Sequence, residues 1–209
     1  MLAFLAGLRV AADVGARTVA ESQIRDRVVI AAGAAGETTA RIDSFPFLAR
    51  LLTSGDLSRV RVSTADVTVE DLTLARVALD LHGVIVDRDR LFSDQKVVLL
   101  NLDRGTATAE VTAEQLSERL GVTVALESGR ARVRVAGQTV TATASVRDNT
   151  LRLTVAGLSV PSLRIPRLPL LPCVADAEIL PGRIRLTCSV DQVPPELVGR
   201  PLDEIVPPR

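Results

Sequence analysis

After Gly36 the chain takes up an apolar-polar alternation with a period of two and keeps it for most of its 209 residues. Val60 and Val62 alternate with Arg59 and Arg61, Val77, Leu79 and Leu81 with Arg76, Ala78 and Asp80, and Val98, Leu100 and Leu102 with Leu99, Asn101 and Asp103. The pattern continues through Ala107 to Val111, Val122 to Leu126, Ala131 to Val135, Val140 to Val146 and Leu151 to Val155. Successive side chains of a strand point to opposite faces, so each run reads as a strand with one buried face. Turn residues separate the runs, notably Asp103-Arg104-Gly105, Glu127-Ser128-Gly129 and Asp148-Asn149. Such a chain has to build antiparallel sheet and find something to cover its apolar side.

The cover comes from the start of the chain. Val14, Ala20, Ile24, Val28 and Ala31 keep three- and four-residue spacings from Ala20 onward, which predicts a helix from Asp13 to about Ala32, ended by Gly33 to Gly36. Thr112-Ala113-Glu114-Gln115 is a capping box, and Leu116 and Leu120 give the short helix behind it an apolar face before Gly121. A second short helix is expected at Phe47 to Thr53, and Pro195 to Leu197 reads as a short helix or a turn. The expected fold is therefore α+β: a long N-terminal helix wrapped by a curled, mainly antiparallel sheet of about 8 to 10 strands, with one short inserted helix. A sheet curled on one helix leaves room for an elongated aliphatic cleft, although a fully packed core is the ordinary outcome of alternating strands.

Pro161, Pro166, Pro169 and Pro172 make a stiff, extended approach to the last strands. There Ile179-Leu180-Pro181-Gly182 reads as a four-residue hairpin loop, which puts Glu178 opposite Arg183 and, in the same register, Cys173 opposite Cys188. Opposed residues of an antiparallel pair lie within disulfide reach, and a bridge suits an oxidising compartment; two buried free thiols are the alternative.

Composition narrows the function. Basic and acidic residues balance at 25 each and aromatics make up 2%, so neither the charge excess nor the stacking platforms of a nucleic-acid binder are present. Lys96 is the only lysine, and the arginine excess suits phosphate as well as it suits GC-rich coding. His82 is the only histidine, the cysteines number two, and the chain has no Gly-x-Ser-x-Gly elbow or glycine-rich phosphate loop. No catalytic set, metal site or cofactor is therefore nominated. Residues 1–12, apolar except for Arg9, are too short to span a bilayer and read as the remnant of an export signal or anchor, or as the first turns of the helix. Residues 13–199 are expected to form a single domain, followed by a tail over 200–209.

The run Ile42-Asp43-Ser44-Phe45-Pro46-Phe47-Leu48-Ala49-Arg50-Leu51-Leu52, then Gly55 and the strand Val60-Arg61-Val62, resembles the signature of the LmeA-like family of actinobacterial cell-envelope proteins. Asp13-Val14-Gly15-Ala16-Arg17 with Ala20-Glu21, the stretch Thr106 to Leu120, and Leu168-Pro169-Leu170-Leu171-Pro172 extend the likeness over about residues 13 to 192. The resemblance implies a phospholipid-binding protein, secreted or tethered outside the plasma membrane, with a tubular lipid-binding type of fold. It further implies a role in handling inositol phospholipids and their mannosylated derivatives.

The leading expectation is thus a lipid-binding or lipid-transfer module that is not an enzyme and whose partners are phospholipid or glycophospholipid and a membrane surface. Each methylene taken from water contributes about 0.8 kcal/mol, so an aliphatic cleft suffices to hold an acyl tail. Phe45, Phe47, Leu48, Leu51 and Leu52 are candidates for a membrane-touching lip, or alternatively staple the short helix to the core. Arg59, Arg61, Arg130, Arg132 and Arg134 are candidates for headgroup contact, against the reading of solvated strand faces. Two other classes compete. A weak phospholipase would need His82 or a carboxylate to activate a serine such as Ser44, Ser54 or Ser93, and an envelope assembly domain would need no ligand.

Overall fold

The computed structural model describes residues 2–32, 35–69, 72–135, 137–147, 150–155, 158–159, 163–164, 173, 175–195, 197–201 and 204. In chain order its elements are α1 (Leu2–Ala32), β1 (Thr38–Ile42), α2 (Phe47–Ser54), β2 (Asp56–Val69), β3 (Leu72–Val86), α3 (Arg88–Ser93), β4 (Leu99–Asn101) and β5 (Arg104–Thr112). Then follow α4 (Ala113–Leu120), β6 (Thr123–Glu127), β7 (Arg130–Val135), β8 (Gln138–Arg147), β9 (Thr150–Val155), β10 (Leu158–Ser159), β11 (Leu163–Arg164), β12 (Asp176–Leu180) and β13 (Arg183–Val190). The proline-rich stretch with Pro161, Pro166, Pro169 and Pro172, and the turn at Asp148-Asn149, lie outside the described residues.

The strands form two antiparallel sheets, and neither closes. One has seven strands in the order β1-β2-β3-β5-β13-β12, with β4 added to β3; the other has six in the order β10-β9-β8-β7-β6, with β11 added to β9. This replaces the single curled sheet of 8 to 10 strands expected from the alternation. The additional strands are short, β4, β10 and β11 having three, two and two residues, too few to show a period. The long β2-β3 hairpin ties the two ends of the molecule together. At Asp66, with φ 49°, it leaves regular strand geometry, and Val67, Leu72 and Leu74 beyond that point join the core under the six-stranded sheet.

That first core also takes Val111, Leu116, Val124, Ala131, Val133, Leu151 and Ile184, all buried, and so joins α4 and β13 to the six-stranded sheet. The second lies at the other end of the hairpin, where Ile42, Phe47, Leu51, Val60, Val84, Val86 and Leu102 meet Ala16, Ala20 and Ile24 of α1. α1 packs mainly on β1, β2 and α2, so it lies across one edge of the seven-stranded sheet. Val14, Val19 and Val29 remain exposed on it.

The helical expectations held in part. α4 has its capping box, Thr112 Oγ1 accepting from the Gln115 amide at 3.2 Å while Gln115 Oε1 accepts from the Thr112 amide at 2.9 Å. α2 spans nearly the expected residues and ends at Gly55, whose φ of 70° no other residue adopts cheaply. α1 runs unbroken from Leu2, eleven residues earlier than the sequence reading placed its start. α3 was not expected, and residues 195 and 197–199 form turns.

The last hairpin has a different register from the one expected. Pro181-Gly182 is a two-residue turn, Leu180 pairs with Arg183, and Glu178 pairs with Arg185 instead of Arg183. Buried Ile179 and half-buried Leu180 belong to the sheet rather than to a loop, and Gly182 supplies the positive φ, 76°, that so tight a turn needs. Cys188 consequently has Ala107 of β5 as its ladder partner, and Cys173 lies before the start of β12. The two cysteines are nonetheless bridged, with Cα atoms 5.7 Å apart.

Candidate functional site

The segment that joins β1 to β2 is built around contacts from α1. Pro46 precedes α2 and has no side-chain cap to offer, so the first amides of α2 need another acceptor. Asp13 supplies it: its side chain is 5% exposed, and Oδ1 accepts from the Leu48 amide at 2.7 Å. Two turns along α1, Glu21 Oε1 accepts from the Ile42 amide at 2.8 Å. Buried Ser44 accepts from the Ser58 amide at 2.6 Å, and Arg50 holds Ser58 and Asp56 together. The peptide between Phe45 and Pro46 is cis.

These contacts sort the apolar candidates. Phe47 and Leu51 point into the core and Leu48 is half-buried, while Phe45 and Leu52 face solvent at 68% and 52% exposure. Arg88 donates to the Leu52 and Thr53 carbonyls at 2.7 and 2.8 Å, which sets α3 against α2. Arg90 donates to the Gly199 carbonyl, the Gly199 amide donates to Leu99, and Val98 bridges to Pro201. α2, α3, β4 and residues 197–201 therefore form one end of the molecule. Phe92, Leu100 and Val198, exposed at 57%, 43% and 45%, belong to the same end. Among the described residues, every other exposed large hydrophobic side chain is a valine of α1.

α1 points the same way. Asp13 lies at the start of α2, Glu21 lies at the end of β1, and the Ala35 amide reaches the Asp66 carbonyl, so the helix runs away from this end as numbering rises. The N-terminal half of α1 therefore meets this end, with Asp13 at the start of α2. No helix among the described residues is long and apolar enough to cross a membrane.

The five candidate arginines fall on two different sheets. Arg130, Arg132 and Arg134 lie exposed on the outer face of the six-stranded sheet, where Arg132 pairs with Glu127 at 3.2 Å. Arg59 and Arg61 lie on the outer face of the seven-stranded sheet, and both are engaged. Arg61 pairs with Asp43 at 2.5 Å, and Arg59 grips Asp80 with two bonds, Nε to Oδ1 at 2.8 Å and Nη2 to Oδ2 at 2.5 Å. The hydrogen bond from Arg59 holds the Asp80 carboxyl below its ordinary value against the opposing effect of burial, with the charges of Arg59, His82 and Arg61 adding to the lowering. The same pairing raises the Arg59 guanidinium.

His82 completes this cluster, with Nε2 3.2 Å from Asp80 Oδ1. Its cross-strand neighbours are Arg59 on β2 and Arg104 on β5. Arg59, Ala78, Asp80, His82, Arg104, Thr106 and Thr108 line an open groove of 540 Å³ on the polar face. The sequence marked Arg59 but not Asp80, Arg104 or the two threonines; the alternation fixes the face each occupies, whereas the neighbour depends on register. Of the serines considered as nucleophiles, Ser44 accepts from Ser58, while Ser54 and Ser93 donate to the carbonyls of Arg50 and Asp89. Among the described residues no group of three metal-ligating side chains is present.

No curated protein and no solved structure is matched by the chain. The model of the LmeA-like phospholipid-binding family matches residues 11–189, from within α1 into β13. The chain belongs to the LmeA-like phospholipid-binding family.

Proposed function

We propose that the protein binds phospholipid or glycophospholipid at the outer side of the plasma membrane, and that the end formed by α2, α3 and β4 is its bilayer-facing lip. The observation that carries this reading is the gathering of Phe45, Leu52, Phe92, Leu100 and Val198 at the end that the N-terminal half of α1 meets through Asp13. Exposed apolar groups gathered at one end beside an apolar helix suit the boundary between headgroups and acyl chains. The Cys173-Cys188 bridge suits an oxidising compartment, and so supports an extracytoplasmic location. In this reading the acyl chain enters between the lip and the aliphatic side chains behind it, the helix and sheets together acting as a tube, and the bound lipid is carried rather than cleaved. The exposed arginines of the six-stranded sheet meet headgroups only when the protein contacts a second surface.

Native purification, lipid extraction and mass spectrometry test the binding step: stoichiometric phospholipid supports it, and lipid-free protein that takes up none from vesicles refutes it. The lip is tested with Phe45→Glu and Leu52→Glu, both on exposed positions that leave the core intact. Each is expected to lower affinity for phosphatidylcholine-phosphatidylinositol vesicles at least tenfold. Unchanged vesicle binding by the double variant would place the lipid contact elsewhere.

A further inference from the structure

We infer that the groove on the outer face of the seven-stranded sheet is a binding site for a phosphate group, with Arg104 and His82 as its main ligands and Thr106 and Thr108 as hydroxyl donors. The warrant is a charge imbalance fixed by register. Arg59, His82 and Arg104 stand side by side in one cross-strand row, and Arg41, Arg61, Asp80 and Thr106 in the next. Like charges directly opposed across strands destabilise a sheet. The two rows hold four guanidiniums, and the carboxylates that answer them are Asp80, taken by Arg59, and Asp43, taken by Arg61. Arg41 and Arg104 have no ion pair among the described residues. An anion in the groove would offset the charge that the row carries.

The chemistry fits phosphate in particular. Ala78, opposite Thr108, lines the groove with a small side chain, Thr106 and Thr108 stand two residues apart on one face of β5, and a guanidinium donates in a fork that matches phosphate oxygens. The groove is open, so the alcohol of a phosphate ester points outward without a clash. It also stands near the lip end: Arg59 is three residues from the start of β2, next to the turn that leads out of α2. The phosphate belongs either to a lipid headgroup or to a soluble ester. The lipid source rests on the function proposed above; the soluble source does not.

The charged groups facing His82 are Arg59, Asp80 and Arg104, with Arg61 in the next row and the Asp103 carboxylate against Gly83.

Because His82 is the only histidine, its ring resonances report the site without overlap. The full chain is titrated with inorganic phosphate, and separately with phosphatidylcholine vesicles containing phosphatidylinositol, against chloride at equal ionic strength. The expected result is a saturable shift of the His82 ring signals. Arg104→Gln should weaken the response at least tenfold and Thr106→Val by a smaller factor, while Arg27→Gln on α1 leaves it unchanged. Response to vesicles assigns a headgroup site, and response to inorganic phosphate alone assigns a soluble phosphate site. The inference is overturned by no saturable shift with either probe, or by Arg104→Gln responding as the wild type does.

Discussion

Removing the Asp13 carboxylate should unfasten α2 from α1. Asp13→Ala leaves the Leu48 amide without the acceptor it now has at 2.7 Å, in a place where the carboxylate is 5% exposed and water does not easily substitute. Loss of a helix N-terminal acceptor costs about 1 kcal/mol, and a buried donor left unsatisfied costs about 1–3 kcal/mol, so about 2 kcal/mol is expected in all. For a chain of this length that corresponds to a fall in Tm of roughly 4–8 °C. Asp13→Asn keeps an oxygen in place and forfeits only the charge at the helix terminus, about 0.3–1 kcal/mol. Urea unfolding measures both, with the slope m expected to stay constant while the midpoint moves. Hydrogen exchange at Leu48 should quicken in Asp13→Ala. The reasoning fails if Asp13→Ala lies within about 0.5 kcal/mol of wild type, since exposed surface changes are that small. It also fails if Asp13→Asn is as damaging as Asp13→Ala, because the oxygen acceptor would then not be what matters.

Replacing both Cys173 and Cys188 by serine should cost about 3 kcal/mol, the loop-entropy value for a separation of 15 residues, as read by urea midpoint with and without reductant. Gly55→Ala meets two obstacles, a φ of 70° and a Cβ placed 2.1 Å from the Val86 carbonyl oxygen, so a loss of about 2 kcal/mol or more is expected by thermal unfolding. Acid should weaken the groove: Asp80 has a lowered folded pKa, so its contribution is present above the unfolded aspartate value of about 3.9 and is lost as pH falls through the lower folded value. Asp80→Asn should flatten that part of the stability-pH curve, and an unchanged acid limb would show that the Arg59 pairing carries no weight.

Local patterns were legible in the sequence wherever one face of an element is buried. β6 alternates exposed and buried residues over Thr123 to Glu127 as its composition says it must, and the capping box announced α4. α3 escaped because it has six residues and buries none, so it carries no helical stripe. The register of β12 and β13 escaped because a shift of the turn leaves every side chain on its own face: Glu178 against Arg183 and Glu178 against Arg185 satisfy the alternation equally. Two sheets instead of one follow from the pairings β3-β5 and β5-β13, which join distant segments and leave no local trace. The same limit hid the groove. Arg59, His82 and Arg104 are separated by more than twenty residues at each step, and only the ladder brings them side by side.

The four phenylalanines show why the lip deserves the functional weight placed on it. Phe47 fills the core behind α2, Phe45 and Phe92 face solvent at that same end, and Phe4 belongs to α1. Among the described residues, the core beneath the six-stranded sheet contains none and is packed from Val, Leu, Ile and Ala. Aliphatic side chains therefore meet the packing needs of this fold, and aromatic filler is dispensable. Leaving large rings in water at one end is unfavourable for an isolated molecule, and their burial against acyl chains would recover about 1.5–3 kcal/mol for each ring fully covered. Under the proposed function a bilayer covers the exposed rings of Phe45 and Phe92, which the packing of the described cores does not require.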